Sequence, residues 1–162
     1  MNKKSLITGV FIISAMLVFA CLPKVNNSNK VIAGPAVKAD EGIQFIEADW
    51  NKALQEAKKQ NKPIFLDAYT SWCGPCRMLK QTTFTDKAVG EFFNKNFINV
   101  ALDMEKGDGI AVAEKYQVRA YPTLIITDAD QKSTSVSEGY MAPQQLIEFG
   151  KYVLDRTKKL NQ

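Results

Sequence analysis

Histidine is absent from this sequence. That absence removes cysteine–histidine proteolysis, a serine–histidine–aspartate triad and every imidazole metal site. Cysteine is scarce: Cys21, Cys73 and Cys76 are the only three, and Cys21 stands far upstream of the other two. No framework of structural disulfides can therefore hold a domain together. A basic block is missing as well. The formal charge is +4, but Lys3, Lys4, Lys24, Lys30 and Lys38 precede Asp40, and all 17 acidic residues lie at Asp40 or later. From Asp40 onward 16 basic residues stand against 17 acidic ones, a net charge of −1. A near-neutral domain without a basic patch gives no footing for nucleic acid.

What the chain does have is 46% hydrophobic and 23% charged residues, a globular balance. Its length supports one domain with a real core once a leader is set aside. Residues 1–20 form that leader. Lys3 and Lys4 make a positive start, and Leu6 to Ala20 is an apolar run of 15 residues interrupted only by Ser, Thr and Gly. Secretory segments have about this length, whereas a membrane-crossing helix needs about 20. Ala20-Cys21 fits a lipoprotein signal with Cys21 as the lipidated residue. Ordinary cleavage near Ala20 or at Val37-Lys38-Ala39 and an uncleaved anchor are the alternatives. All three expect an extracytoplasmic domain, in the periplasm or tethered to a membrane. Residues 21–41, rich in Asn, Lys, Ala and Gly and free of aromatics, read as a flexible tether. Residues 42–162 are the domain.

Along the domain, strands and helices alternate. Ile43 to Ile46 is expected as a short strand. Asp49 is placed to cap a helix whose apolar positions are Trp50, Ala53, Leu54 and Ala57. Asn61-Lys62-Pro63 is a turn. Ile64 to Tyr69 is a near-continuous apolar run, as in a central strand covered on both faces, with Asp67 as the anomaly inside it. A helix from Gly74 is broken at Thr83-Phe84-Thr85-Asp86, and Asp86 can cap a second helix, Lys87 to Asn94. Phe97 to Leu102 is a strand, Ile110 to Tyr116 a helix, and Leu124 to Thr127 a strand. Asp128 to Gln131 turns into an edge strand, Lys132 to Val136. Pro143 opens a last helix with Leu146, Ile147, Phe149, Val153 and Leu154 on one face. Phe84, Phe92, Phe93 and Phe97 are core candidates. The class is mixed α/β.

Trp72-Cys73-Gly74-Pro75-Cys76 follows the central strand and opens a helix. A thiolate is favoured at a helix N-terminus, where free N–H groups and the helix dipole meet it. Cys73 is then the exposed nucleophile and Cys76, one turn inside, the shielded partner. Gly74 lets the loop turn, and Pro75 lacks an N–H that would be unpaired there. Half of a zinc site is the other reading of such a pair, but zinc needs four ligands and no second pair or histidine is present.

These residues resemble the thioredoxin superfamily. Trp-Cys-Gly-Pro-Cys is its active-site sequence, Asp67 lies where thioredoxins carry a buried acid, and Tyr116 to Thr123 resembles the segment whose proline is cis. Gly139 resembles the glycine before the final helix. The match covers roughly Phe45 to Asp155. Gln81 departs from the pattern, standing where many thioredoxins have a helix-kinking proline, and the turn at Asp128 lacks the usual glycine. The stretch Thr83 to Phe97 is similar to periplasmic thioredoxin-like domains, including the C-terminal domain of DsbD, and to secreted thioredoxins of the Bacteroidetes type.

The resemblance implies a thioredoxin fold, a central mixed sheet flanked by helices. It implies thiol:disulfide exchange by a Cys73–Cys76 dithiol with no cofactor and no metal. Asp67, its pKa raised by burial, would take the proton of Cys76. Trp72, Gly74, Pro75, Tyr121, Pro122 and Thr123 would meet the substrate, with the backbone beside a cis Pro122 pairing to it like an added strand. If Asp67 faced solvent at an edge, or Pro122 were trans, those roles would lapse. Disulfide-containing proteins are the implied partners, with a membrane thiol donor, and the domain is expected to act as a monomer. Gly-Pro between the cysteines points to a reductase, and Tyr121 before the proline to an isomerase or oxidase. A thioredoxin fold used only as a binding module is the third reading.

Overall fold

In chain order the elements are β1 (Ile46–Glu47), α1 (Trp50–Gln60), β2 (Ile64–Tyr69) and α2 (Gly74–Met78), which winds on into a π-helical turn (Leu79–Thr83). Then come α3 (Lys87–Asn96), β3 (Ile98–Asp103), α4 (Asp108–Tyr116), β4 (Thr123–Thr127), β5 (Thr134–Glu138) and α5 (Pro143–Leu160). This computed structural model describes residues 42–160. The expected leader 1–20, tether 21–41, Cys21 and the cleavage positions lie outside the described residues.

The strands form one sheet in the order β1-β3-β2-β4-β5. β1, β3 and β2 run parallel, β4 is antiparallel to β2, and β5 is antiparallel to β4. Side chains alternate across the sheet, so β2 sends Ile64, Leu66 and Ala68 to one face and Phe65 and Asp67 to the other. The first face packs with Trp50, Ala53 and Ala57 of α1 and Val112 of α4. The second packs with Leu79 of the π turn, Val89 and Phe93 of α3, and Leu146 and Val153 of α5. Phe84, Phe93 and Phe97 are buried here as expected, and Phe92 packs at the margin. Ring centroids of Phe65 and Phe93 are 4.6 Å apart, and those of Phe93 and Phe97 are 5.0 Å apart. Both faces of β2 are thus covered, which is why its sequence runs apolar without alternation.

The two expected caps are made. Asp49 accepts from the Lys52 N–H at 2.8 Å and Asp86 from the Val89 N–H at 3.0 Å, each stabilising its helix by about 1 kcal/mol. Several boundaries differ from expectation. β1 starts at Ile46 instead of Ile43, because the Ile43 N–H donates to the Phe84 carbonyl and the Gln44 N–H to Asn94 Oδ1. Their donors are spent on Phe84, which precedes α3, and on Asn94 within α3, not on a strand ladder. α4 begins at Asp108, whose carboxylate accepts the Trp50 N–H and ties the starts of two helices together. β5 begins at Thr134 instead of Lys132, because Asp128 accepts the N–H groups of Asp130, Lys132 and Ser133. That carboxylate, with Gln131 at φ 60°, makes the turn without a glycine. At Gln81 the expected departure has a structural counterpart. The helix changes to π winding there, and the Thr82 hydroxyl donates to the Met78 carbonyl at 2.7 Å.

The segment entering β1 is clamped to α3. Gly42 and Gly90 meet backbone to backbone: a Cβ on Gly90 would lie 2.4 Å from the Gly42 carbonyl carbon and oxygen. Asn94 Nδ2 donates to the Gly42 carbonyl at 2.9 Å. Gly90→Ala should therefore destabilise the domain by about 1–3 kcal/mol, although alanine is the better helix former. Urea unfolding at equal protein concentration checks this, and a variant as stable as the parent would show that the clamp does not need the close approach.

Candidate active site

β2 ends at Tyr69, and the Cys73 N–H donates to the Thr70 carbonyl at 3.2 Å, turning the chain over into α2. Cys73 is the cap of that helix, with extended backbone. Pro75 sits in its first turn, where a missing N–H costs nothing. The Cys76 N–H donates to Cys73 Sγ at 3.1 Å. The two cysteines form a disulfide with S–S 2.07 Å and Cα–Cα 5.3 Å. The sulfur that receives the helix N–H is therefore that of Cys73. In the dithiol form the same donor would face a thiolate, and a donor to an ionised acceptor is about twice as strong as one to a neutral acceptor.

One expectation is corrected. Cys73 retains only 3% of its surface, against 2% for Cys76, so exposure does not tell them apart in the disulfide form. What separates them is helical position: Cys73 precedes the helix and Cys76 lies within its first turn. Trp72 is 63% exposed and leans across the neighbouring loops. Its indole N–H donates to Glu105 at 3.0 Å, and its ring meets Tyr121 edge-on with centroids 5.8 Å apart. The Tyr121-Pro122 bond is cis. The Thr123 hydroxyl donates to the Ala120 carbonyl at 2.7 Å, and the Pro122 carbonyl accepts the Gly139 N–H at 2.8 Å. Trp72 and Tyr121 are thereby brought together at the dithiol loop. Arg77 is exposed, its guanidinium 3.4 Å from the Ser71 carbonyl.

Asp67 is fully buried in the middle of the sheet, between Ala101 of β3 and Leu124 of β4. Neither carboxyl oxygen has a hydrogen-bond partner among the described residues. Desolvation pushes its pKa up to about 7, opposed by the positive charge of Lys80 and reinforced by the negative charge of Glu47. The solvent-facing edge position considered for Asp67 is ruled out.

Glu105, Lys80 and Glu47 were not singled out in the sequence. Lys80 had a readable signal, since it lies one helical turn after Cys76. Glu47 and Glu105 had none, because their places depend on strand register and on a loop fold. Among the described residues no cluster of side chains could hold a metal ion, and no helix is long and apolar enough to cross a membrane.

The pattern of a family described as thioredoxin-like matches residues 45–129. Thioredoxin H-type of Fagopyrum esculentum is 36% identical over 84 residues, which is 52% of this chain and 67% of that protein. The thiol:disulfide interchange protein DsbD of Pectobacterium atrosepticum is 30% identical over 101 residues, 60% of this chain but only 17% of DsbD. The solution structure of a candidate disulphide-isomerase from Bacteroides thetaiotaomicron superposes with a TM-score of 0.58 at 40% identity, covering 65% of this chain and 88% of that one.

The burial of Asp67 has a stability consequence. The unfolded chain releases this proton near pH 3.9, the folded chain at about 7. Between those values the folded state holds more protons, so its stability falls as pH rises. Asp67→Asn should match the parent near pH 4 and exceed it by roughly 2–4 kcal/mol near pH 8. Denaturant unfolding at both pH values tests this, and a difference that does not change with pH would contradict it.

Proposed function

The chain belongs to the thioredoxin-like family of thiol:disulfide oxidoreductases, and within that family we propose that it is an extracytoplasmic reductase of protein disulfides. The observation that carries the reading is the Cys76 N–H on Cys73 Sγ at the start of α2, which favours a thiolate at Cys73. That thiolate attacks one sulfur of a substrate disulfide. The substrate S–S bond breaks, and its other sulfur leaves as a thiolate. Cys76 then gives its proton to the Asp67 carboxylate, and its sulfur attacks Cys73. The bond from Cys73 to the substrate breaks, and the second substrate sulfur leaves as a thiolate that takes a proton from solvent. The Cys73–Cys76 disulfide is formed, and the substrate has gained two electrons. A donor dithiol must return them.

The substrate side is formed by Trp72, Gly74, Pro75, Tyr121, Pro122 and Thr123, with substrate backbone pairing beside Tyr121 as an added strand. The chemistry is supplied by the cysteine pair itself, without cofactor or metal. The reductase direction is supported by Gly74-Pro75 between the cysteines. Placement outside the cytoplasm rests on the leader 1–20, with Cys21 as its lipidation site, and a membrane thiol donor follows from that placement. The likeness to a segment of DsbD supports such a donor. A second reading, disulfide isomerase, has its own support in Tyr121 before Pro122 and in the 40% identity to a candidate disulphide-isomerase.

Cys76→Ser should accumulate a mixed disulfide between Cys73 and a disulfide-containing protein, and Cys73→Ser should abolish exchange with it. Non-reducing electrophoresis after acid quenching reads both. Adducts that form equally well in Cys73→Ser would contradict Cys73 as the attacking sulfur, and a partner complex that survives loss of both cysteines would favour a binding module over an enzyme.

A further inference from the structure

Asp67 is sealed on its own strand, yet two charged side chains act on it, and both line one solvent-facing groove. Strand register explains the first. Glu47 pairs with Ala101, and Ala101 pairs with Asp67, so the three side chains stand in a row on the same face of the sheet. Ala101, between the two carboxyl groups, contributes only a methyl. The second comes from the helix that carries the dithiol. Lys80 follows Cys76 by one turn, within the π-helical segment, and its ammonium lies 3.4 Å from the centroid of the Tyr69 ring. Tyr69 is two residues from Asp67 on β2 and faces the same side. The groove has a volume of about 370 Å³ and is lined by Ile43, Phe45, Glu47, Lys80 and Phe84.

The remaining neighbours leave this pair in control. From β3 the next charge on the same face is Asp103, which is engaged by Lys106 at 2.9 Å. β4 presents Leu124 at the register position of Asp67, and α3 and α5 bring Val89, Phe93, Leu146 and Val153 to this face. Cys73, the cap of α2, and Cys76 within it are bonded to each other in this state.

We propose that Lys80 and Glu47 are positioning residues for the exchange reaction: acting from the groove that both line, they set the pH at which Asp67 exchanges its proton with solvent, and so the pH range in which Cys76 can be deprotonated. Lys80 favours the carboxylate and Glu47 the carboxylic acid. The proton that Asp67 takes from Cys76 leaves to bulk water, with no oxidant or reductant involved. The last link, from Asp67 to Cys76, rests on the role given to Asp67 under the proposed function, whereas the electrostatic link from Lys80 and Glu47 to Asp67 does not.

The test separates the two links. In the full-length protein labelled with ¹³C at aspartate carboxyl carbons, the Asp67 signal is identified by its loss in Asp67→Asn and followed against pH. Lys80→Met should move its midpoint up and Glu47→Gln should move it down, each by on the order of half a unit to one unit. Lys80→Arg, which keeps the charge, should leave it in place. Glu47 is exposed, so Glu47→Gln decides the matter alone if Lys80→Met does not fold. Carbon midpoints that stay at the parent value would overturn the proposal. The pH dependence of mixed-disulfide resolution is measured in parallel, and its limb should move with the carbon midpoint. If the carbon midpoint moves and the limb does not, the electrostatic link stands, and the claim that these residues position the reaction falls together with the role of Asp67 as proton acceptor.

Discussion

The structure depends on one constraint: the start of α2 must be held so that its free N–H faces the sulfur of Cys73. A five-residue helix cannot do this alone. It is anchored in front by β2, the central strand, whose hydrogen-bonded neighbours on both sides leave its end no freedom. It is anchored behind by the π-helical turn, where Leu79 is buried against Phe65, Phe84 and Phe93. The aromatic core on that face, with Leu146 and Val153 of α5, packs around the π turn that continues this short helix. The apolar content of the domain is concentrated where it stabilises that placement.

Asp67 runs against the same logic. A carboxyl group without a partner in the centre of a core destabilises the fold at neutral pH, and a neutral or apolar side chain would pack at less cost. Destabilising groups of this kind are retained at sites of chemistry, where activity and stability pull in opposite directions. Here the group lies on the face of the sheet that receives the dithiol helix. Its pKa of about 7 lets it both take and release a proton near neutral pH.

Much of this was legible from the residues. The apolar run of β2, the caps Asp49 and Asp86, the helix opened by Pro143 and the dithiol loop all carry local signals, and local signals survive into the fold. The anomaly of Asp67 inside an apolar run was legible too, because strand burial follows from length and composition. The misplaced ends of β1 and β5 were not, since each is decided by a distant or bifurcated acceptor: Phe84 and Asn94 in one case, Asp128 in the other. The row of Glu47, Ala101 and Asp67 was hidden for the same reason. It is created by pairing between strands far apart in the chain. The near-equal burial of Cys73 and Cys76 was hidden too, because spacing along the chain does not give exposure.

The reduction potential of the Cys73–Cys76 pair tests the account most directly, because every feature around the dithiol bears on the relative stability of its two states. Proteins of this fold span from about −270 mV for thioredoxin to about −120 mV for the oxidase DsbA, a difference of roughly 7 kcal/mol. Equilibrating the protein against a series of glutathione or dithiothreitol buffers and quantifying the free thiols gives the value. A potential near or below about −250 mV is the result expected of a reductase, and one near about −150 mV would contradict it and make disulfide formation or shuffling the working function.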